Sequence, residues 1–312
     1  MIGLLSLLAV KDAPKTCIAT YFKGNGEAGV YLAYSTDGNT FKPIVEPEKP
    51  IIAPEIGPDK LMRDACLSLG ADKVWTLVWT TGWWDKGIGI SRSKDLVTWS
   101  KQEFIPVMDR FDSALNAWAP EITYDPKRKE YVIFWSSTLT DQFPATRFED
   151  GDKAKNGEPL NHRFFYCTTK DFKTYSRTSL LYDPEFNCID ATLLAGPKGS
   201  WILFGKDETK VPKPEKNLFF ATALSPSGPF TLQKKKITGD FWAEGPTAVM
   251  FGKTTRVYFD KYMEGKWGAI ETTDNQVWLD VSAQVSFPAG ARHGTVVACD
   301  QKLIDRLQLA FK

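Results

Sequence analysis

Five short segments each place one ionisable side chain at the head of an apolar run. They are Arg63-Asp64 before Ala65–Leu69, Glu121 before Ile122–Tyr124, Ile189-Asp190 before Ala191–Leu194, Glu244-Gly245-Pro246 before Thr247–Val249, and Arg292-His293 before Gly294–Val297. Four carboxyls gathered in one place repel one another, which raises the pKa of at least one and leaves others ionised. A protonated and an ionised carboxyl together are the equipment for acid and base chemistry near neutral pH. Taken singly, each has a plainer use: a carboxylate at a strand head can simply accept backbone N–H bonds, and His293 can be a structural hydrogen-bonding group. With 2 His in the whole chain, a zinc centre or a His-based triad has little to draw on.

The elements that must position these residues are strands. The heads stand 57, 69, 54 and 49 residues apart, and repetition at roughly that period without a long helical pattern is the signature of a propeller of four-stranded blades. Residues 64–104 read as one complete blade, with strands at 64–69, 74–80, 87–93 and 99–104, and the pattern recurs over 121–180, 190–233 and 244–281. Each third strand is followed by a turn and an aromatic: Phe41, Trp99, Tyr175, Phe230 and Trp278. Five such aromatics predict five blades.

Residues 17–45 supply only three strands, with no acid-headed strand before them. The last head strand, 293–299, is followed by Lys302–Phe311, whose apolar spacing is helical. The expected fold is therefore an all-β five-bladed propeller, its ring closed by three N-terminal strands and one C-terminal strand so that no sheet edge is left open. One domain spans 1–312, with 1–16 an N-terminal extension or signal remnant.

In such a blade the first strand lies nearest the axis, so the five heads converge at one end of the central channel. The loops between second and third strands open on that same end: 82–86, the polar insertion 137–162, 205–216 and 260–266. They are longer and richer in Trp, Tyr and charge than the opposite turns, so function belongs on their face. Trp83, Trp84, Trp118 and Trp242 are candidates to present flat apolar faces to sugar rings, with Glu121 and Arg292 as partners for hydroxyls. Inter-blade packing is the other use for any of the 11 Trp.

Composition narrows the partner. Lys+Arg number 39 against 38 Asp+Glu, a net charge of +1, so no field is expected that would collect nucleic acid or an anionic membrane. The 5 Cys are odd in number and scattered, which argues for buried free thiols over a disulfide framework or a zinc site. Residues 1–10 resemble the apolar part of an export signal but lack a cationic lead and a clear cleavage site, and are too short to span a bilayer. They point to a secreted or periplasmic location, with a cytoplasmic one left open. Oligomeric state is not legible.

The motifs Arg63-Asp64, Trp118-Ala119-Pro120-Glu121, Ile189-Asp190, Glu244-Gly245-Pro246 and Arg292-His293-Gly294, in this order over residues 17–300, resemble glycoside hydrolase family 43, the five-bladed propeller arabinofuranosidases, xylosidases and arabinanases. The resemblance implies hydrolysis with inversion at the anomeric carbon: Asp64 as general base, Asp190 as pKa modulator and orienting group, Glu244 as general acid. It also implies that no cofactor is needed for the chemistry, and that His293 lies beside a channel ion, often calcium, usually reached through water. The chain departs from the family where Ala65 and Ala191 replace Pro after the Asp, and where Glu121 replaces Asp.

The expected function is release of α-L-arabinofuranose, or alternatively β-D-xylose, from plant polysaccharides or oligosaccharides. Two other classes compete: a non-catalytic glycan-binding propeller, and a retaining fructan-type or phosphorolytic enzyme. Retention needs working carboxyls about 5 Å apart rather than roughly 6.5–9.5 Å. Phosphorolysis needs a basic cluster, for which only Arg63 and Arg292 stand on the head strands.

Overall fold

The structure is a computed structural model and describes residues 15–312; the apolar opening read as a signal remnant lies outside the described residues. Blade one contributes β1 (Cys17–Tyr21), β2 (Tyr31–Ser35) and β3 (Lys42–Pro43). Blade two is β4 (Arg63–Leu69), β5 (Trp75–Thr80), β6 (Ile88–Ser93) and β7 (Glu103–Ile105), and blade three is β8 (Trp118–Asp125), β9 (Glu130–Thr138), β10 (His162–Thr169) and β11 (Ser179–Tyr182). Blade four is β12 (Cys188–Ala195), β13 (Trp201–Asp207), β14 (Leu218–Ala223) and β15 (Thr231–Lys234), and blade five is β16 (Glu244–Phe251), β17 (Thr254–Lys261), β18 (Lys266–Thr272) and β19 (Leu279–Asp280). The strand β20 (Val296–Ala298) pairs antiparallel with β1, completing the first blade in the order β20-β1-β2-β3. This is the five-bladed propeller and the ring closure that the sequence predicts.

Strands in the middle of a blade are covered on both faces by neighbouring blades. Their sequences accordingly run largely apolar without alternation: β5 (WTLVWT) is buried at every residue, as is β13 (WILFGKD), its polar end included. Outer strands meet solvent, and β15 (TLQK) is exposed throughout, its lysine guarding the sheet edge. Trp79 and Trp135 are wholly buried between blades, the packing use of tryptophan. Four of the five cysteines are buried and all five are free. The chain ends in helix α1 (Gln301–Ala310), capped by Asp300, whose carboxylate accepts the Leu303 N–H. Its Leu303, Ile304 and Leu307 pack into the core of blades one and two.

The aromatic marker after each third strand has a local cause. A Ser or Thr followed two residues later by Asp folds the outer turn: Ser35 Oγ accepts the Gly38 N–H while Asp37 accepts those of Asn39 and Thr40. Ser93 with Asp95, Thr169 with Asp171 and Thr272 with Asp274 repeat the device, and blade four substitutes Ser225 with Ser227. In blade two the outer strand is displaced. Trp99 makes only an isolated bridge to Ser93, and β7 begins at Glu103, so the strand expected over 99–104 is shorter and later.

The inner strands carry the detail that decides the site. Pairing slips by one residue between Arg63 and Cys66, Trp118 and Glu121, Ile189 and Thr192, and Glu244 and Thr247. Each slip is a bulge with a left-handed residue: Asp64 (φ 53°), Ala119 (47°), Asp190 (56°) and Gly245 (55°). A bulge re-aims a side chain that a regular strand would point sideways. Asp tolerates this conformation better than most residues. At Gly245 only glycine serves, because a Cβ there would lie 1.8 Å from His293 Nδ1.

Candidate active site

The bulges bring three of the predicted carboxyls to one cavity. Asp64, Asp190 and Glu244 line a space of about 550 Å³ with Trp83, Trp84, Trp118, Arg292 and His293. Its walls include Asp150, Asp152 and Lys153 from the predicted insertion and Tyr262 from the 260–266 loop, so the site opens on the long-loop face. Behind it the channel narrows to a chamber of about 20 Å³ lined by Glu121 together with Asp64, Asp190 and His293.

Asp64 is held by two donors. Thr80 Oγ1 donates to its Oδ2 at 2.8 Å, and His293 Nε2 lies 3.0 Å from its Oδ1. Burial works against its charge, but the hydrogen bond and positive charge of His293, with Arg63 nearby, hold the carboxyl well below the usual carboxylate range. His293 responds in kind. Burial opposes its charge, yet Asp64 and the neighbouring carboxylates lift it to about 9, so the ring is an imidazolium at neutral pH.

Asp190 is fixed through backbone contacts. Its N–H donates to Ser136 Oγ at 3.1 Å, and its Oδ2 accepts the Gly245 N–H at 3.0 Å. Burial, with the negative charge of Glu244, raises this carboxyl to about 6 despite His293 and Lys206.

Glu244 sits one residue before its bulge, between two cations. Lys206 Nζ donates to its Oε2 at 3.0 Å and Arg292 to its Oε1 at 2.6 Å. Burial would raise its pKa, but Lys206, His293 and Arg292 together lower it to about 2. Of the three cavity carboxyls Asp190 is the last to lose its proton, near pH 6, so the division into protonated and ionised carboxyls holds below that pH, with the proton on Asp190 and not on Glu244.

An aromatic wall stands across the cavity. Trp118 Nε1 donates to the Trp83 carbonyl at 2.8 Å, and the two rings meet edge to face at 5.6 Å. Arg63 stacks over Trp83 at 4.4 Å while donating to Asn25 at 2.7 Å. Trp118 rests on the buried ring of His162, 4.8 Å away. Burial pushes His162 down to about 3, so this prop is neutral.

Two sequence assignments change. Glu121 does not line the cavity: it follows the left-handed residue of its bulge by two positions, where Asp64 and Asp190 occupy that residue themselves, and this places it deeper in the channel. Burial lifts its carboxyl to about 8, against hydrogen bonds from Thr192 and the Leu193 N–H. Trp242 does not line the cavity either, and its ring lies 6.0 Å from Tyr262, which does. His293, which the resemblance sets beside a channel ion usually reached through water, points Nε2 at Asp64; as an imidazolium it has no lone pair for direct ligation, which leaves contact through water as the way an ion would sit beside it. Among the described residues no group of three His, Cys, Asp or Glu side chains could hold a metal ion.

Sequence reading missed Lys206 and Glu208. Lys206, 2% exposed, lies on β13 with its ammonium 2.6 Å from Glu208 and over the Tyr262 ring at 4.6 Å. The signal was present: a lysine ends the apolar run Trp201–Gly205, where an unpaired charge would be costly to bury.

A family model described as "Probable glycosyl hydrolase domain", of the group related to glycoside hydrolase family 43, matches residues 12–305. The chain belongs to this family of glycosidases, and the propeller with its carboxyl-lined cavity is the architecture of that class. Among solved structures, it is similar to an α-L-arabinofuranosidase from Lactobacillus brevis at 17% identity and TM-score 0.50, over 70% of this chain and 72% of that one. It is also similar to a xylan β-1,4-xylosidase from Bacillus halodurans (15%, TM-score 0.52, over 73% and 42%). A third is an exo-β-1,3-galactanase from Phanerochaete chrysosporium (12%, TM-score 0.53, over 70% and 49%). These likenesses carry the fold. No curated protein matches the chain. No helix among the described residues is long and apolar enough to cross a membrane.

Proposed function

We propose that the chain is an inverting, exo-acting glycosidase that releases α-L-arabinofuranose from plant cell-wall polysaccharides or their fragments. The observation that carries this reading is the convergence of Asp64, Asp190 and Glu244 on one cavity with unlike protonation. An ionised Asp64 suits a base, and below about pH 6 the neighbouring pair retains a proton for an acid. The choice of pentose rests on the family resemblance. Exo action is supported by the channel, which narrows from about 550 Å³ to about 20 Å³ behind the carboxyls and leaves a chain end, not a threaded polymer, as the ligand of the pocket.

In this reading Asp64 takes a proton from the attacking water as its oxygen bonds to the anomeric carbon. The glycosidic bond breaks, and the leaving oxygen takes the proton of Glu244. Glu244 must first acquire that proton. Sugar hydroxyls accept hydrogen bonds from Arg292 and the ring displaces water, so Glu244 loses part of its cationic surroundings and its proton affinity rises. Asp190, whose proton affinity the charge of Glu244 raises and whose Oδ2 is fixed at the Gly245 N–H, is the neighbouring carboxyl that can supply it. The cycle ends with Asp64 protonated and Glu244 ionised, and exchange with solvent resets both.

The test is hydrolysis of a panel of 4-nitrophenyl glycosides (α-L-arabinofuranoside, β-D-xyloside, β-D-galactoside), with proton NMR of the first-formed sugar. Release from the arabinofuranoside with the opposite anomer appearing first is expected. A first-formed anomer of unchanged configuration overturns inversion, and preference for another glycoside overturns the sugar. Binding without any hydrolysis would make the protein a glycan-binding propeller.

A further inference from the structure

The insertion in blade three does more than wall the cavity. Between β9 and β10 it folds a small hairpin, bridged at Lys153 and Pro159, in which the Ala154 N–H donates to the Glu158 carbonyl at 2.8 Å and the Gly157 N–H to the Ala154 carbonyl at 2.9 Å. Asp152 and Lys153 face the main cavity, whereas Ala154, Lys155 and Asn156 line a second groove of about 300 Å³. Its other walls are Ala114, Leu115 and Trp84, and Trp84 lines both spaces. The hairpin and Trp84 therefore form a divide with a cavity on each side.

The groove is built of braced elements. Ala114 is bridged to Leu139, and the Leu115 N–H donates to the Thr138 carbonyl at 3.1 Å, pinning this wall to the end of β9. The hairpin is tied by Arg147 to Glu158 at 2.8 Å and by Lys210 to Asp152 at 3.1 Å. The groove volume falls within the roughly 300–1,000 Å³ of small-molecule sites. One indole, small apolar side chains and the exposed donors of Lys155 and Asn156 match the two surfaces of a sugar unit, its C–H faces and its hydroxyls.

We propose that this groove is a binding subsite for the leaving-group portion of an oligosaccharide, so that the natural substrate is a chain of at least three sugar units and not a disaccharide. The inference rests on the glycosidase reading: with the channel narrowed behind the carboxyls, the substrate beyond the terminal sugar must extend outward over the divide, and the groove that shares Trp84 with the cavity lies on its other side.

The test is calorimetric titration of the full chain carrying Asp64→Asn with arabino-, xylo- and β-1,3-galacto-oligosaccharides of two to five units. Affinity for the best series should rise about tenfold on lengthening past the second unit, the scale of one or two hydrogen bonds with an apolar contact. Lys155→Ala/Asn156→Ala and, separately, Leu115→Arg should each remove that increment while leaving the two-unit affinity in place. Equal affinity at every length, an increment untouched by both variants, or no binding of any series would overturn the subsite. Hydrolysis of nitrophenyl glycosides reports separately on the catalytic reading: cleavage without a length dependence sinks the groove alone, and a length dependence without cleavage sinks only the catalysis.

Discussion

Lys206 Nζ lies 3.0 Å from Glu244 Oε2 on a side chain almost wholly withdrawn from solvent. The pair is the centre of an alternating line of charges: Lys216, Glu208, Lys206, Glu244, Arg292, Asp260. Such a line compensates each buried charge with its neighbours and also sets the proton affinity of Glu244.

Replacing Lys206 by Met should therefore change a pH profile. The ammonium lowers both Glu244 and Asp190, so its loss raises both and lets the site keep its proton to higher pH. The alkaline limb of kcat/KM should move upward in the variant. An unmoved limb in a folded variant, checked by circular dichroism, would leave Lys206 as packing only.

The unmodified protein should show that alkaline limb near pH 6. Asp190, raised to about 6, holds the exchangeable proton of the free site, and kcat/KM reports groups of the free enzyme. As pH rises through that value the proton is lost and activity falls. On the acid side Asp64 stays ionised, so the profile should be flat. A rise in kcat/KM from pH 6 to 8 would contradict the assignment.

The acid and base roles separate by leaving group. Glu244→Gln should lower cleavage of unactivated oligosaccharides by about 10²–10⁴, the usual range for a lost proton donor, yet spare most of the rate on a nitrophenolate, which needs little protonation. Asp64→Asn should abolish both, and azide supplied in its place should yield a glycosyl azide of inverted configuration. Equal losses on the two substrates for Glu244→Gln would transfer the acid role elsewhere, with Asp190 the first candidate.

Glu121 in its chamber predicts a stability effect. Its folded pKa of about 8 stands above the ordinary 4.5, so the native state binds the proton more tightly than the unfolded state and stability falls as pH rises between those values. Glu121→Gln, similar in shape and never charged, should raise Tm at pH 8 and change it little at pH 4, while activity persists. His293 adds a second decline between 6.5 and about 9 that the variant leaves in place. An equal Tm difference at both pH values would show that Glu121 is not held neutral.

Gly245→Ala should fail sterically and not electrostatically. A Cβ 1.8 Å from His293 Nδ1 at φ 55° displaces the imidazolium from Asp64 or shifts the bulge. A loss of about 1–3 kcal/mol is expected from such overpacking, read by urea denaturation, together with loss of activity. Retained activity at full stability would mean that the inner strand tolerates the change.

The blade pattern was legible in the sequence because it is local. Apolar runs such as Trp75–Thr80, the turn and aromatic after each third strand, as at Trp99 and Trp278, and the helical spacing of Leu303, Ile304 and Leu307 each follow from a few neighbouring residues. The convergence of Asp64, Asp190 and Glu244 could also be read, since the repeat fixes which end of each inner strand meets the axis. What the sequence could not carry was the bulge. A one-residue slip places Asp64, Ala119, Asp190 and Gly245 in equivalent positions, so that Glu121 and Glu244, which look alike at strand heads, fall on opposite sides of the turning point. Only the tertiary structure sends one into the channel and the other to the cavity. It alone also sets Lys206 and Arg292, 86 residues apart in the chain, on the two oxygens of one carboxylate, because proton affinity depends on charges brought close in space, and no spacing along the chain records that distance.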